Sequence, residues 1–168
     1  ALSPLEIKLQ NKTAKVAIIG LGYVGLPLAV EVALAGLDVI GFEISEKKVR
    51  LINEGKSDIG DVDDATLAPL VKSGKVMATL DPKMLAQADC VAICVPTPLS
   101  KTKDPDVSFI VAAVETVKPH LHRDMLIVLE STTYPGTTEE LIRPKLEESG
   151  LKAGIDFYLA FSPERVDP

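Results

Sequence analysis

Residues 15–43, KVAIIGLGYVGLPLAVEVALAGLDVIGFE, read as a strand, a tight glycine turn, a helix, a second strand and an acidic residue. Val16–Ile19 is a short apolar run of the kind found in a parallel strand buried on both faces. It ends at Gly20-Leu21-Gly22-Tyr23-Val24-Gly25, the spacing G-x-G-x-x-G, and the helix that follows carries one charge, Glu31, before Gly36 closes it. In this pattern Gly20 makes the turn, Gly22 lets backbone approach a pyrophosphate, and Gly25 lets helix pack close to strand. The hexapeptide alone is also compatible with a turn that binds nothing, so its surroundings carry the weight.

The second strand, Asp38–Phe42, ends in Glu43. An acidic side chain about 20 residues past the glycines is placed to accept hydrogen bonds from both ribose hydroxyls of an adenosine. The same carboxylate would repel a 2′-phosphate, which points to NAD rather than NADP. The pyrophosphate would sit on the helix N-terminus, where free backbone N–H groups and roughly half a positive charge favour an anion. Gly20, Gly22, Tyr23, Val24, Gly25 and Glu43 are therefore the candidate cofactor contacts of this stretch. FAD is the main rival, since some flavoproteins share the glycines and the acid, and methyltransferases use a looser version.

The whole chain fits one α/β domain. With 168 residues and 46% hydrophobic content it can bury a real core, and a mean hydropathy of +0.22 excludes disorder. A net charge of −6 and a pI near 5.0 leave no basic face for nucleic acid. The uncharged run behind Lys15 is interrupted by three glycines, Pro27 and Glu31, and falls short of the roughly 18 to 20 apolar residues of a membrane span. No membrane partner is expected. Cys90 and Cys94 share one apolar run; at i and i+4 of a strand they would lie about 13 Å apart, too far to bridge. Buried thiols and a reducing, cytoplasmic setting follow.

Outward from this stretch, Ala1–Ala14 shows no firm period and reads as an extended N-terminal arm, leaving residues 15–168 as the nucleotide-binding domain. Ser45–Glu54 reads as a polar helix with Val49 and Ile52 facing inward. Lys47 and Lys48 read as a solvated face, with a place beside the adenosine as the other option. Gly55–Asp64 is an acidic loop whose aspartates lack the glycine and final glutamate of a calcium loop, so Asp63 or Asp64 is expected to cap a helix over Ala65–Ser73. Lys75–Thr79 is a third strand, and Asp81-Pro82 opens a short helix.

A fourth strand, Asp89–Val95, runs into Pro96-Thr97-Pro98, an extended loop at the carboxyl edge where ligands of open α/β sheets bind. Pro96 and Thr97 thus join the candidate cofactor contacts, with a plain turn as the alternative. Asp106 caps a helix from Val107 to about Val117, and His120 and His122 read as surface residues, having no third metal ligand nearby. A fifth strand, Met125–Leu129, leads into Glu130 to Glu140, in which Thr137 and Glu140 form a capping box and Thr132 and Thr133 are left unexplained. A helix to about Ser149 stops at Gly150, and a last strand, Phe157–Phe161, delivers Ser162-Pro163-Glu164-Arg165 to the same edge. The predicted fold is a Rossmann-type, doubly wound, mainly parallel sheet of about six strands with helices on both faces.

Four runs, GLGYVGLPLA (20–29), CVPTPL (94–99), STTYPGTTEE (131–140) and FSPERV (161–166), together resemble the N-terminal half of the UDP-glucose/GDP-mannose dehydrogenase family. Within it, the wording CVPTPL, DPDVSF and ESTTYPGTTEE is most similar to the UDP-N-acetylglucosamine 6-dehydrogenases of bacterial surface-polysaccharide synthesis. The UDP-N-acetylmannosamine and UDP-glucose enzymes stay open. The UDP-glucose enzymes carry a second glutamate four residues after the first, where this chain has Pro168, and the ending ERVDP resembles the N-acetylhexosamine enzymes instead.

The resemblance implies oxidation of the C6 alcohol of a UDP-sugar to the carboxylate with two NAD. A cysteine holds the intermediate as thiohemiacetal and thioester, and a lysine and an asparagine stabilise the oxyanion. Those three belong to the family's second half, which this chain does not contain. It also implies that Thr132, counted among the cofactor contacts as well, helps to hold the hydrolytic water and that Glu164, of the motif Ser-Pro-Glu, orients or activates it; read from the residues alone, Glu164 is a loop carboxylate beside Arg165. The expectation is a piece of a longer enzyme that binds NAD, performs no complete reaction by itself, and belongs to a homodimer or higher homo-oligomer when full length. A free-standing nucleotide-binding module with a regulatory role is the alternative.

Overall fold

The computed structural model describes residues 2–96, 101, 106–131 and 135–163. Its strands are β1 (Lys15–Ile19), β2 (Asp38–Phe42), β3 (Val76–Thr79), β4 (Cys90–Ile93), β5 (Leu126–Ser131) and β6 (Tyr158–Pro163). They form one sheet in the order β3-β2-β1-β4-β5-β6, and every adjacent pair runs parallel. This is the doubly wound order in which the chain reverses its direction of travel across the sheet between β1 and β4.

Helices α1 (Pro4–Gln10), α2 (Gly25–Leu34), α3 (Glu46–Asn53), α4 (Asp64–Lys72), α5 (Ser108–Val117) and α6 (Pro135–Glu147) are joined by 3₁₀ turns over Pro82–Gln87 and Lys118–His120. Strand alternation sorts the apolar residues into two cores. Val16 and Ile18 of β1 point to one face, packed with α2, Ile52 of α3 and Leu67 of α4. Ala17 and Ile19 point to the other, packed with Ile110, Val114 and Val117 of α5 and with Ile142 and Leu146 of α6. Each such large side chain contributes about 1.5 to 3 kcal/mol when fully buried. Two-sided burial explains why β1 and β2 are apolar throughout after their first residue.

At the β3 edge, the Asn53 side chain does the work of a missing strand. Its amide donates to the Ala78 carbonyl at 2.9 Å, and its carbonyl accepts the Ala78 N–H at 2.9 Å. One backbone N–H and one C=O that would otherwise invite pairing are thereby satisfied.

Several local expectations are corrected. Residues 1–14 are not simply an extended arm: Ser3 accepts the Glu6 N–H at 3.2 Å, Pro4 takes the first turn of α1, and Leu5 is buried. The Ser-Pro pair is a helix start rather than extended chain. Helix α6 begins at Pro135, so Thr137 lies inside it and is not its cap; a proline with φ already set for the helix starts it earlier. Asp63 occupies the cap position of α4 without a side-chain bond, because Asp64 turns to the Ser57 N–H instead, at 2.7 Å. Strand β4 ends at Ile93, so Cys94 lies just past it, although its N–H still donates to the Ile19 carbonyl at 2.8 Å. His122 is more than a surface residue: its ring nitrogens sit 2.7 Å from the Ala88 carbonyl and 2.9 Å from the Arg123 carbonyl.

Candidate functional site

The chain leaving β1 turns at the carboxyl edge of the sheet, beside the end of β4. Gly20 has a φ of +93°, and a Cβ on it would come within 2.8 Å of the Cys94 carbonyl oxygen. Its N–H donates to the Phe42 carbonyl at 3.0 Å, so the turn stays tied to β2. A Cβ on Gly25 would overlap the Gly20 carbonyl oxygen, which makes Gly25 the point of closest helix-to-strand approach.

Gly22 differs from both. Its φ is not in the left-handed region, and nothing lies within 4 Å of where its Cβ would be. Among the described residues neither packing nor backbone geometry calls for glycine there. The open space is what a group approaching the backbone from outside requires.

Helix α2 starts directly after this turn with Val24 in the cap position, no side-chain cap, and no acidic residue in its first turn. Within α2 itself no acidic side chain offsets the positive end of the dipole, an arrangement suited to an anion. Tyr23 is 65% exposed at the mouth of the turn, and Val24 packs partly against the α2 core.

Glu43 follows β2, its N–H donating to the Thr79 carbonyl at 3.1 Å. Its carboxylate accepts the Leu21 N–H at 3.1 Å through Oε2 and the Ile44 N–H at 3.0 Å through Oε1. The structure thus brings Glu43 and the glycine turn together. A carboxylate has about four acceptor positions, so capacity remains for two hydroxyls.

Leu21, the first variable residue of the turn, points inward and is 1% exposed. It lies over Gly41 of β2, where a Cβ would come within 2.7 and 2.9 Å of the Leu21 Cδ atoms. This contact was not foreseen, although a lone glycine in an otherwise apolar strand is a known sign of close approach.

Pro96 is exposed shortly beyond β4. Thr97, Thr132 and Glu164 lie outside the described residues. The strand ends that precede the last two, Ser131 and Pro163, are register partners at the same edge of the sheet.

Cys90, the first residue of β4, lies at the opposite edge. Burial, with the neighbouring Asp89 charge, pushes its thiol up to about 11, so it is protonated and weakly nucleophilic at neutral pH. Among the described residues no group of three or more His, Cys, Asp or Glu is arranged to hold a metal, and no helix is long and apolar enough to cross a membrane.

The model of the UDP-glucose/GDP-mannose dehydrogenase family, NAD binding domain, matches residues 14–168. The chain is 40% identical over 155 residues to the UDP-N-acetyl-D-mannosamine dehydrogenase of Pyrococcus horikoshii, a match covering 92% of this chain and 37% of that protein. It is 38% identical over 158 residues to the UDP-N-acetyl-D-glucosamine 6-dehydrogenase of Pseudomonas aeruginosa, covering 94% and 36%. The solved structure of the P. horikoshii UDP-D-ManNAc dehydrogenase superposes with a TM-score of 0.85 over 92% of this chain and 37% of that one. The chain therefore spans a little over a third of the length of the curated relatives it matches.

Proposed function

Because the chain belongs to the UDP-glucose/GDP-mannose dehydrogenase family, as its NAD-binding domain, we propose that it forms the cofactor half of a nucleotide-sugar 6-dehydrogenase. The substrate assigned is a UDP-N-acetylhexosamine, UDP-N-acetylglucosamine first. The observation that carries the cofactor site is the unfilled space at Gly22 beside the Glu43 carboxylate. In this reading the amides from Gly20 to Gly25 and the start of α2 hold the diphosphate of NAD, and Glu43 accepts the adenosine ribose hydroxyls. Pro96 and Thr97 border the cofactor beyond β4.

When bound, NAD would supply the hydride acceptor for the sugar's C6 twice per turnover, so that the alcohol, one water and two NAD would give the carboxylate, two NADH and three protons. Thr132 and Glu164, following the paired ends of β5 and β6, are assigned to the water of the hydrolytic step. Cys90 takes no part in this scheme, being protonated and at the wrong edge. The nucleophile is assigned to the remainder of a longer chain, so the 168 residues alone would bind NAD without turnover. The setting that suits NAD and a UDP-sugar is the cytoplasm, and the complete enzyme is assigned a homodimer or higher homo-oligomer.

UDP-N-acetylmannosamine is a second reading, favoured by the 40% identity to the P. horikoshii enzyme. A panel of UDP-glucose, UDP-N-acetylglucosamine and UDP-N-acetylmannosamine, offered to the full-length protein with NADH absorbance as readout, separates the readings. Fastest turnover of the glucosamine compound is expected, and preference for UDP-glucose would reject both N-acetylhexosamine readings.

A further inference from the structure

Gly41 sits in the buried part of β2, in register with Ile18 of β1. A Cβ in its place would come within 2.7 and 2.9 Å of the Leu21 Cδ atoms and 3.3 Å of its Cγ; Leu21, the residue between the first two glycines of the cofactor turn, is 1% exposed, so its side chain has little room to turn aside. The turn is otherwise tied to β2 at two points, by the Gly20 N–H on the Phe42 carbonyl and by the Leu21 N–H on Glu43 Oε2. Leu21 thus has its backbone held by Glu43 and its side chain seated on Gly41, two residues earlier on the same strand. Strand residues two apart point to the same face, so the seat and the carboxylate act from one side of β2.

We propose that Gly41 is a positioning residue for NAD: by leaving a notch in β2 it seats Leu21, which sets the height of the glycine turn relative to Glu43. The inference rests on the reading that this turn holds the diphosphate and Glu43 the ribose. A methyl group at 41 lifts Leu21, lengthens the Leu21-to-Glu43 hydrogen bond, and moves the turn amides off the line shared with the ribose site. The turn and the acid must engage one ligand at once, so a displacement of a few tenths of an ångström is felt as lost affinity rather than as a lost fold.

The test is calorimetric titration of the 168-residue chain with NAD, well below each variant's melting temperature, for wild type, Gly41→Ala, Leu21→Ala and the double variant. Gly41→Ala is expected to weaken NAD by about ten-fold or more, the effect of a modest overpacking penalty paid in the bound arrangement. In the Leu21→Ala background, where the atoms it would strike are gone, the same change is expected to cost about two-fold or less. A glycine needed only for the fold would lower the melting temperature and leave the affinity of folded molecules unchanged. Equal losses in both backgrounds, or none in either, overturn the seat while leaving the cofactor reading in place. Wild type that binds no NAD overturns the cofactor reading itself. If Gly41→Ala does not fold, the double variant decides against Leu21→Ala: matched affinity supports the seat, and a ten-fold loss refutes it.

Discussion

Glu43 holds two backbone N–H groups, of Leu21 and Ile44. In the proposed reading one carboxylate has two tasks, fastening the glycine turn to β2 and offering its remaining lone pairs to a ribose. Glu43→Ala removes both, and is expected to weaken NAD by about 1 to 3 kcal/mol, the range for leaving hydrogen-bond partners unmade. Calorimetry reads this directly, and an unchanged dissociation constant would remove Glu43 from the ribose site. Gly22 shows the complementary logic. Gly20 and Gly25 are explained by contacts inside the chain, whereas among the described residues nothing lies within 4 Å of a Cβ at Gly22, which leaves room for the backbone approach that the proposed reading assigns to the diphosphate.

At the scale of elements, α1 depends on a tertiary tie. Asp89, just ahead of β4, accepts the Lys15 N–H at 2.9 Å and the Lys8 ammonium of α1 at 2.9 Å. Burial works against its charge, but the Lys8 and Lys15 hydrogen bonds, with the Lys8 and His122 charges, outweigh it and hold the carboxyl below its usual value. A carboxyl lowered in the folded state contributes stability above its unfolded value, near pH 4, and loses it as pH falls through the folded value. Asp89→Asn is therefore expected to cost about 1 kcal/mol at pH 7, with the gap to wild type closing in acid below about pH 4. Urea denaturation across a pH series measures it, and a gap independent of pH would show that the charge plays no part. A helix of seven residues is too short to stand alone in water, which is why α1 needs this anchor and the burial of Leu5.

For the whole molecule, a ligand that bridges β1, α2 and β2 binds the folded chain only and must stabilise it. At about a hundred times its dissociation constant, NAD should add about 2.7 kcal/mol, a rise in melting temperature of roughly 5 to 10 °C for a domain of this size. NADP, meeting the Glu43 carboxylate with a 2′-phosphate, should add much less. Thermal denaturation with equal concentrations of NAD, NADP and FAD tests this, and a larger shift with FAD would reverse the cofactor assignment. Each face of the sheet carries its own core of buried apolar side chains.

What the sequence determined alone was whatever is written locally. Apolar runs such as Val16–Ile19 and Asp89–Val95 marked strands, the latter overrunning β4 at both ends, Gly20 to Gly25 marked the turn, and Glu43 marked the end of β2, because side-chain period and glycine spacing are properties of neighbouring residues. Tertiary structure decided what depends on residues distant in the chain. It ordered the strands so that β1 lies between β2 and β4, and drew residues 4–10 into a helix through an aspartate far along the chain. It also set Asn53 against the β3 edge and Leu21 into the notch at Gly41. No local pattern encodes those pairings, since each exists only once the sheet has brought separate elements within van der Waals reach.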